Sequence, residues 1–450
     1  MDAAAIYQRF VEQAPAAVLI HGLIRSCLSP AFLDAVAAPH LPPSPNPRQL
    51  AFSHLVEILL PVVFESKGSV RHAYRDATHL HAIATLKRVY ERLAGTPPAA
   101  VAALVEAVAG RVGPLLDPSP PGTTRFLTLD GNHLAATQNR LADLAGLPAP
   151  LPGQAMVLRD QATGVFLRVL LHDDGHTNER ALHPQLRGWC GADDVLIADS
   201  SFCTEAFLIG MRRCGAGVVV RHHGGVGLTP LGARRDCGPT ATGRVYETRV
   251  RYAQTAWEFR LVEVELDQPT REGHATIGVL TDVAEETLSA VAVASAYQER
   301  RTIERAFQEL AEGLRGEVET LAHPQAALFA FGLAVSVYNL LQVVRSATQR
   351  AGAASGGGAE VSPVLLAQEV GSYSAGLEAA LEGNPEVPTA AWDAVRLRAW
   401  VDGLAVRLTG TRYAKSKRGH RKQPRPKSTV AKGSHTATAR VLEQRRINCQ

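Results

Sequence analysis

Apolar and polar positions divide the chain into blocks of different period. Over the first 115 residues the apolar positions recur at helical spacing, as in LAFSHLVEILLPVVFESKG, and are broken by PHLPPSPNP. This predicts a helical N-terminal region, 1–115. The cluster DPSPPGTT then marks a boundary, and from Arg125 the apolar runs become short: RFLTLD, QAMVLRD, GVFLRVLLH, DVLIAD and AGVVVRHH, with the helical piece TEAFLIGMRRC between the last two. Mixed strands with helical crossovers predict an α/β sheet. Between Gly224 and Gly273 the text alternates, GRVYETRVRYAQTAWEFRLVEVEL, which predicts a β-rich antiparallel insertion. The core resumes with HATIGVLTD and one long helix through AYQERRTIERAFQEL, so it comprises 116–223 and 274–350. The Gly- and Ala-rich AGAASGGGAE reads as a flexible linker, 360–411 as helical again, and 412–450 as a basic tail disordered until it meets phosphate.

The run AALFAFGLAVSVYNLLQVV from Ala326 is uncharged and nearly long enough to span a bilayer. Ser336, Asn339 and Gln342 interrupt it and no second such run appears, so it reads as a buried core helix and no membrane partner is expected.

With 450 residues, 46% hydrophobic and 20% charged, the chain supports a real core, which excludes disorder as its main state. Charge is uneven. Residues 412–450 hold twelve Lys or Arg and one acid, Glu443, a net +11 against +4 for the whole chain, leaving −7 for the remainder. Such asymmetry points to an anionic polymer as partner. The six cysteines form no CxxC pair, and the N-terminus lacks the order of a signal peptide, so a reducing cytoplasm is the expected compartment.

The candidate chemistry lies in three acids. Asp130 and Asp199 each close a short apolar run that reads as a buried strand, and Glu304 shares a helical stripe with Tyr297 and Arg300 because offsets of three and seven residues return to nearly one face. Mg²⁺ takes hard oxygen ligands and keeps several waters, so two or three carboxylates on rigid elements suffice for a nucleic-acid site. Taken alone, a strand-end Asp reads as a turn cap, and Tyr297 and Arg300 read equally as a packing residue and a surface charge. Asp282 in TDVAEE reads as a helix cap with Glu285, and LLHDDGHTN as a turn rather than a metal cluster. Glu299 and Glu309, five residues either side of Glu304, are turned about 140° from it, toward solvent or neighbouring helices.

Tyr, two residues, Arg, three residues, Glu resembles the signature helix of bacterial insertion-sequence transposases of the IS-four type. Asp130 in LDG, Asp199 before Phe202 and Cys203, and the trailing helix ending YNLLQVV stand in the order of that family, over roughly 125–345. The resemblance implies a ribonuclease-H-like core whose triad, here Asp130, Asp199 and Glu304, binds two Mg²⁺ or Mn²⁺ ions, cuts double-stranded DNA at the inverted repeats of the element ends and joins the 3′-hydroxyls to target DNA. It also implies a homodimer on DNA and DNA contacts from Tyr297 and Arg300.

The family pattern continues with six residues and a Lys, where this chain has Ala311. Arg315, about three turns past Glu304 on the same stripe, is the candidate replacement, with Gly313 between them as a point of interruption. Trp257 in the insertion reads as a holder of a flipped base or as a cross-strand packing residue. Two other readings stay open: a nuclease on this fold without strand transfer, and a decayed element protein that only binds DNA.

Overall fold

The computed structural model describes residues 3–42, 50–117, 123–138, 140–252, 255–270, 273–354, 360–381, 384, 386–415 and 435–448. The chain begins with helices α1 (Ala3–Gln13), α2 (Pro15–Cys27), α3 (Pro30–Ala37), α4 (Phe52–Val63), α5 (Val70–Asp76), α6 (Leu86–Ala94) and α7 (Pro98–Val112). There follow β1 (Arg125–His133), β2 (Pro150–Leu151), β3 (Gln154–Asp160), β4 (Phe166–His172), the single turn α8 (Glu179–Leu182), β5 (Asp194–Ala198), α9 (Glu205–Arg213) and β6 (Gly217–Arg221). Strands β7 (Leu228–Pro230), β8 (Arg235–Thr240), β9 (Gly243–Tyr252), β10 (Glu258–Leu266) and β11 (Thr276–Thr281) come next. Helices α10 (Ala290–Glu299), α11 (Arg301–Gly313), α12 (Pro324–Ala354), α13 (Pro363–Leu381) and α14 (Ala394–Ala405) precede β12 (Thr436–Ala437) and α15 (Thr438–Asn448).

The sheet order is β4-β3-β1-β5-β6-β11-β10-β9-β7, with β8 also paired to β9. β4, β3 and β1 form an antiparallel meander, while β5 and β6 run parallel to β1. That order and polarity is the ribonuclease-H-like mixed sheet. From β11 onward the strands pair antiparallel and extend the same sheet, so residues 228–266 lengthen it and form no separate layer.

Alternation along β1 and β3 sends side chains to two faces. Leu127, Leu129, Met156 and Leu158 pack with Phe207, Leu208 and Met211 of α9 on one face. On the other, Ala155 and Val157 join α12 and the N-terminal helices, while Val195, Ile197 and Val219 meet Ala290, Val293 and Ala294 of α10. Every residue of β3 is buried, as a strand covered on both faces requires.

By length and composition alone α12 and the segment Pro98–Leu115 could each cross a membrane, but the apolar window of α12 is wholly buried inside the fold. One of its polar interruptions, Asn339, is fully paired there. Its Oδ1 accepts from Phe166 N and its Nδ2 donates to Phe166 O, both at 2.8 Å, so the amide supplies partners that β4, at the sheet edge, has no neighbouring strand to provide.

Three expectations are corrected. Part of the basic tail is structured: Thr436 and Ala437 pair parallel with Pro150 and Leu151, and Arg440 and Arg445 of α15 form ion pairs with Asp174 and Asp143. Backbone pairing and acidic partners, rather than phosphate, order this part, and residues 416–434 lie outside the described residues. Of the expected linker AGAASGGGAE the first four residues instead continue α12 to Ala354, and 355–359 lie outside the described residues. Asp282 caps no helix, because its Oδ1 accepts from Val218 N at 2.8 Å, and α10 starts later with Ser289 as its N-cap.

Candidate active site

β1 and β5 lie side by side in register from Arg125 with Asp194 to Thr128 with Ile197. Continuing that register brings Asp130 level with Asp199; Asp199 follows the end of β5, whereas Asp130 lies inside β1, which runs on to His133 rather than closing at the acid as expected. Asp199 caps the turn Ser200–Phe202, its Oδ1 accepting from Ser201 N at 2.8 Å and Ser201 Oγ at 2.7 Å. Under this turn, on the other sheet face, His183 stacks on Phe202 with ring centroids 4.6 Å apart.

The helix expected through Tyr297, Arg300 and Glu304 is divided. α10 ends and α11 begins at Arg300, which caps both while keeping helical dihedrals (φ −51, ψ −34). Helical spacing therefore survives across the joint. Arg300 Nη1 donates to Asp130 Oδ2 at 2.8 Å and Nη2 to Glu304 Oε1 at 2.9 Å, so one guanidinium joins the strand acid to the helix acid. Asp130 and Arg300 have side chains 16% and 15% exposed, whereas Glu304 is 60% exposed.

Burial pushes the Asp130 carboxyl up to about 6; Arg300 and the Gly131 N–H pull against this, and Asp199 and Glu304 add to it. Burial works against the charge on Arg300, yet Asp130, Tyr297, Glu304 and Asp199 hold its proton above the ordinary value. Burial raises the Tyr297 hydroxyl, with Arg300 and Arg221 opposing and Asp199 reinforcing the shift. Arg300 thus joins Asp130 and Glu304 directly, while Tyr297 and Asp199 lie near enough to act on them electrostatically.

It does not bring Arg315 with them. α11 stops at Gly313, where a Cβ would stand 2.9 Å from Val364 Cα, and Leu314 turns extended (φ −123, ψ 130). Arg315 leaves the Glu304 stripe; its N–H donates to Val63 O and its Nη1 to Gly68 O at 3.0 Å. Trp257 stands at the β9–β10 turn with the Arg212 guanidinium 4.6 Å from its ring centre, at the margin of the apolar cluster containing Leu129 and Phe202.

Sequence reasoning missed the residues that hold α11. Arg159, buried on β3, donates through Nη1 to Thr302 Oγ1 at 2.9 Å, and Glu309, buried rather than solvent-facing, accepts from Tyr338 Oη and Lys415 Nζ, each at 2.8 Å. The charged ends of QAMVLRD, on a strand otherwise apolar, were the available signal for Arg159. It missed Glu179 as well: its Oε1 stands 2.5 Å from where a Cβ on Gly131 would be, so a larger residue beside Asp130 would displace the Glu179 side chain.

His183 gives the region an acid sensitivity. Burial lowers its imidazole to about 4, Arg180 adding to this while Glu179 and Asp199 oppose it. A base depressed in the folded state contributes stability that is present above its ordinary value of 6.5 and lost as pH falls from 6.5 toward 4. Across that window the wild type is expected to lose up to about 3 kcal/mol more than His183→Phe. Urea unfolding of both chains at several pH values measures it, and a constant difference would count against a buried neutral imidazole.

Residues 154–340 match the family model described as a transposase DDE domain, a stretch containing Asp199, Trp257, Tyr297, Arg300 and Glu304 but not Asp130. Over that stretch the chain is similar to transposase DDE domains, a class that generally uses divalent metal ions. No curated protein matches the chain. Among solved structures it is similar to a piggyBac transposase synaptic complex with hairpin DNA, determined by cryo-electron microscopy, at TM-score 0.37 and 11% identity, over 83% of this chain and 75% of that one.

Proposed function

We propose that the protein is a DNA transposase of an insertion sequence, in which Asp130, Asp199 and Glu304 hold two Mg²⁺ or Mn²⁺ ions and the enzyme cuts element ends and joins their 3′-hydroxyls to target DNA. The observation that carries this reading is the bridge from Asp130 through Arg300 to Glu304, beside Asp199, within a ribonuclease-H-like sheet. The donor chemistry suits such ions, since carboxylates on a strand, a capped turn and a helix offer hard oxygens, although among the described residues no three such side chains are grouped closely enough to hold one. Bound there, the ions would promote attack by a hydroxyl and offset charge on the leaving oxygen.

The chain's own groups do the positioning. Ser201 orients Asp199, Arg159 and Glu309 hold α11, and Arg300 and Tyr297 face the strand beside the cleaved bond. Helical region 1–115 binds the element end, 116–223 with 274–350 is catalytic, and the insertion 224–273, with Trp257, adds DNA contact. Helical region 360–411 supports the core, and tail 412–450 clamps DNA electrostatically. The enzyme works as a homodimer on inverted-repeat ends, in the cytoplasm.

A DNA end pre-cut to expose its 3′-hydroxyl, incubated with supercoiled target DNA and Mg²⁺, is expected to give joined products. Cleavage of the uncut end without joining would make the protein a nuclease. Ala311, together with the docking of Arg315 away from Glu304, favours a second reading, a decayed element protein. It requires cognate-end binding with neither cleavage nor joining.

A further inference from the structure

Arg300 lies between two of the three acids. Its two terminal nitrogens each hold a different acid, Asp130 at 2.8 Å and Glu304 at 2.9 Å. Among the described residues no three His, Cys, Asp or Glu side chains are grouped closely enough to hold a metal ion. The guanidinium thus engages, with one positive charge, the Asp130 and Glu304 oxygens that a divalent ion would need. A guanidinium fork fits carboxylate and phosphate alike, so a DNA strand competes for Arg300 with the ligands it is holding.

We propose that Arg300 is a built-in counter-ion that keeps the acids paired in the DNA-free chain and makes divalent-cation binding depend on DNA. This rests on the transposase reading and adds an order of events to it. A phosphodiester draws the guanidinium off Asp130 and Glu304, and the freed carboxylates then have only a cation to neutralise them. Linkage makes the effect reciprocal, so the cation tightens DNA binding by the same factor. Asp130 is the acid that gains most from a cation, because it is buried and has Asp199 and Glu304 as like-charged neighbours.

The test is calorimetric titration of Mn²⁺ into the full chain without DNA, with electron paramagnetic resonance counting free Mn²⁺ and circular dichroism checking the fold. Arg300→Gln is expected to bind Mn²⁺ about tenfold tighter than wild type, a difference of about 1.4 kcal/mol, and Arg300→Gln with Asp130→Asn is expected to lose that gain. Arg300→Lys, which keeps the charge but not the fork, is expected to fall between and serves if the Gln variant does not fold. Adding a duplex oligonucleotide copying the DNA that flanks the reading frame should tighten Mn²⁺ binding about tenfold in wild type and far less in Arg300→Gln. Equal or weaker Mn²⁺ binding by Arg300→Gln without DNA, or a gain that survives Asp130→Asn, overturns the proposal. Failure of the transposase reading shows separately, as wild-type cleavage that persists when the acids are replaced.

Discussion

Glu304→Gln is expected to lower the single-turnover rate of metal-dependent cleavage by on the order of 10³, equivalent to about 4 kcal/mol, while leaving the melting midpoint and DNA affinity near wild type. The separation follows from exposure and charge. Glu304 is 60% exposed and accepts from Arg300, so an isosteric amide keeps an acceptor for Nη2 and disturbs little packing. A neutral amide cannot supply the charge that a divalent ion requires of its ligands. Asp199→Asn is expected to behave alike, since an amide oxygen still accepts from Ser201. Timed cleavage of a labelled cognate end, beside a melting curve, reads both quantities. Cleavage by Glu304→Gln within about tenfold of wild type would remove Glu304 from the site.

The largest loss of stability is expected far from the acids, at Glu369→Ala. Glu369 of α13 is 7% exposed, and its Oε1 accepts from Ala16 N at 3.0 Å and Ala17 N at 3.2 Å, capping α2 from another helix. Its Oε2 accepts from Tyr413 Oη at 2.7 Å and from Arg412. Truncation leaves two buried N–H groups and a phenol without their acceptor and a guanidinium without its carboxylate, a loss of about 3–5 kcal/mol. Glu369→Gln keeps the acceptor oxygen and should cost less than half of that. Urea unfolding followed by circular dichroism decides it: a change below about 1 kcal/mol for the Ala variant would mean the capping contributes nothing net.

Much of the sheet is legible in the sequence because strands covered on both faces have apolar centres, as FLTL and VLIA largely are. β7 and β8, LTP and RDCGPT, carry Pro, Gly and charges and hold their place by pairing with β9, which no local pattern announces. The acids could be nominated because a strand end and a helical stripe are local features. Their partners could not: Arg300 meets Asp130 across 170 residues, and Arg159 meets Thr302 across 143. Extrapolating one helical stripe succeeded to Glu304 and failed at Arg315, where the backbone of Val364 packs on Gly313 and ends the helix. Asp282 misled for the same reason, since its acceptor serves Val218 on a strand distant in sequence.

The burial of α12 has a consequence for biosynthesis. α2, α4 and α7 pack against it, so the greasy faces of the first hundred or so residues have no cover until Ala354 has left the ribosome. At roughly 5–20 residues per second that interval is on the order of 10–50 s, long enough for nascent chains to associate unless a holdase shields them. An isolated N-terminal fragment made for crystallography or for end-recognition assays would expose that same surface permanently, so the helical arm has to be studied attached to the helix that completes it.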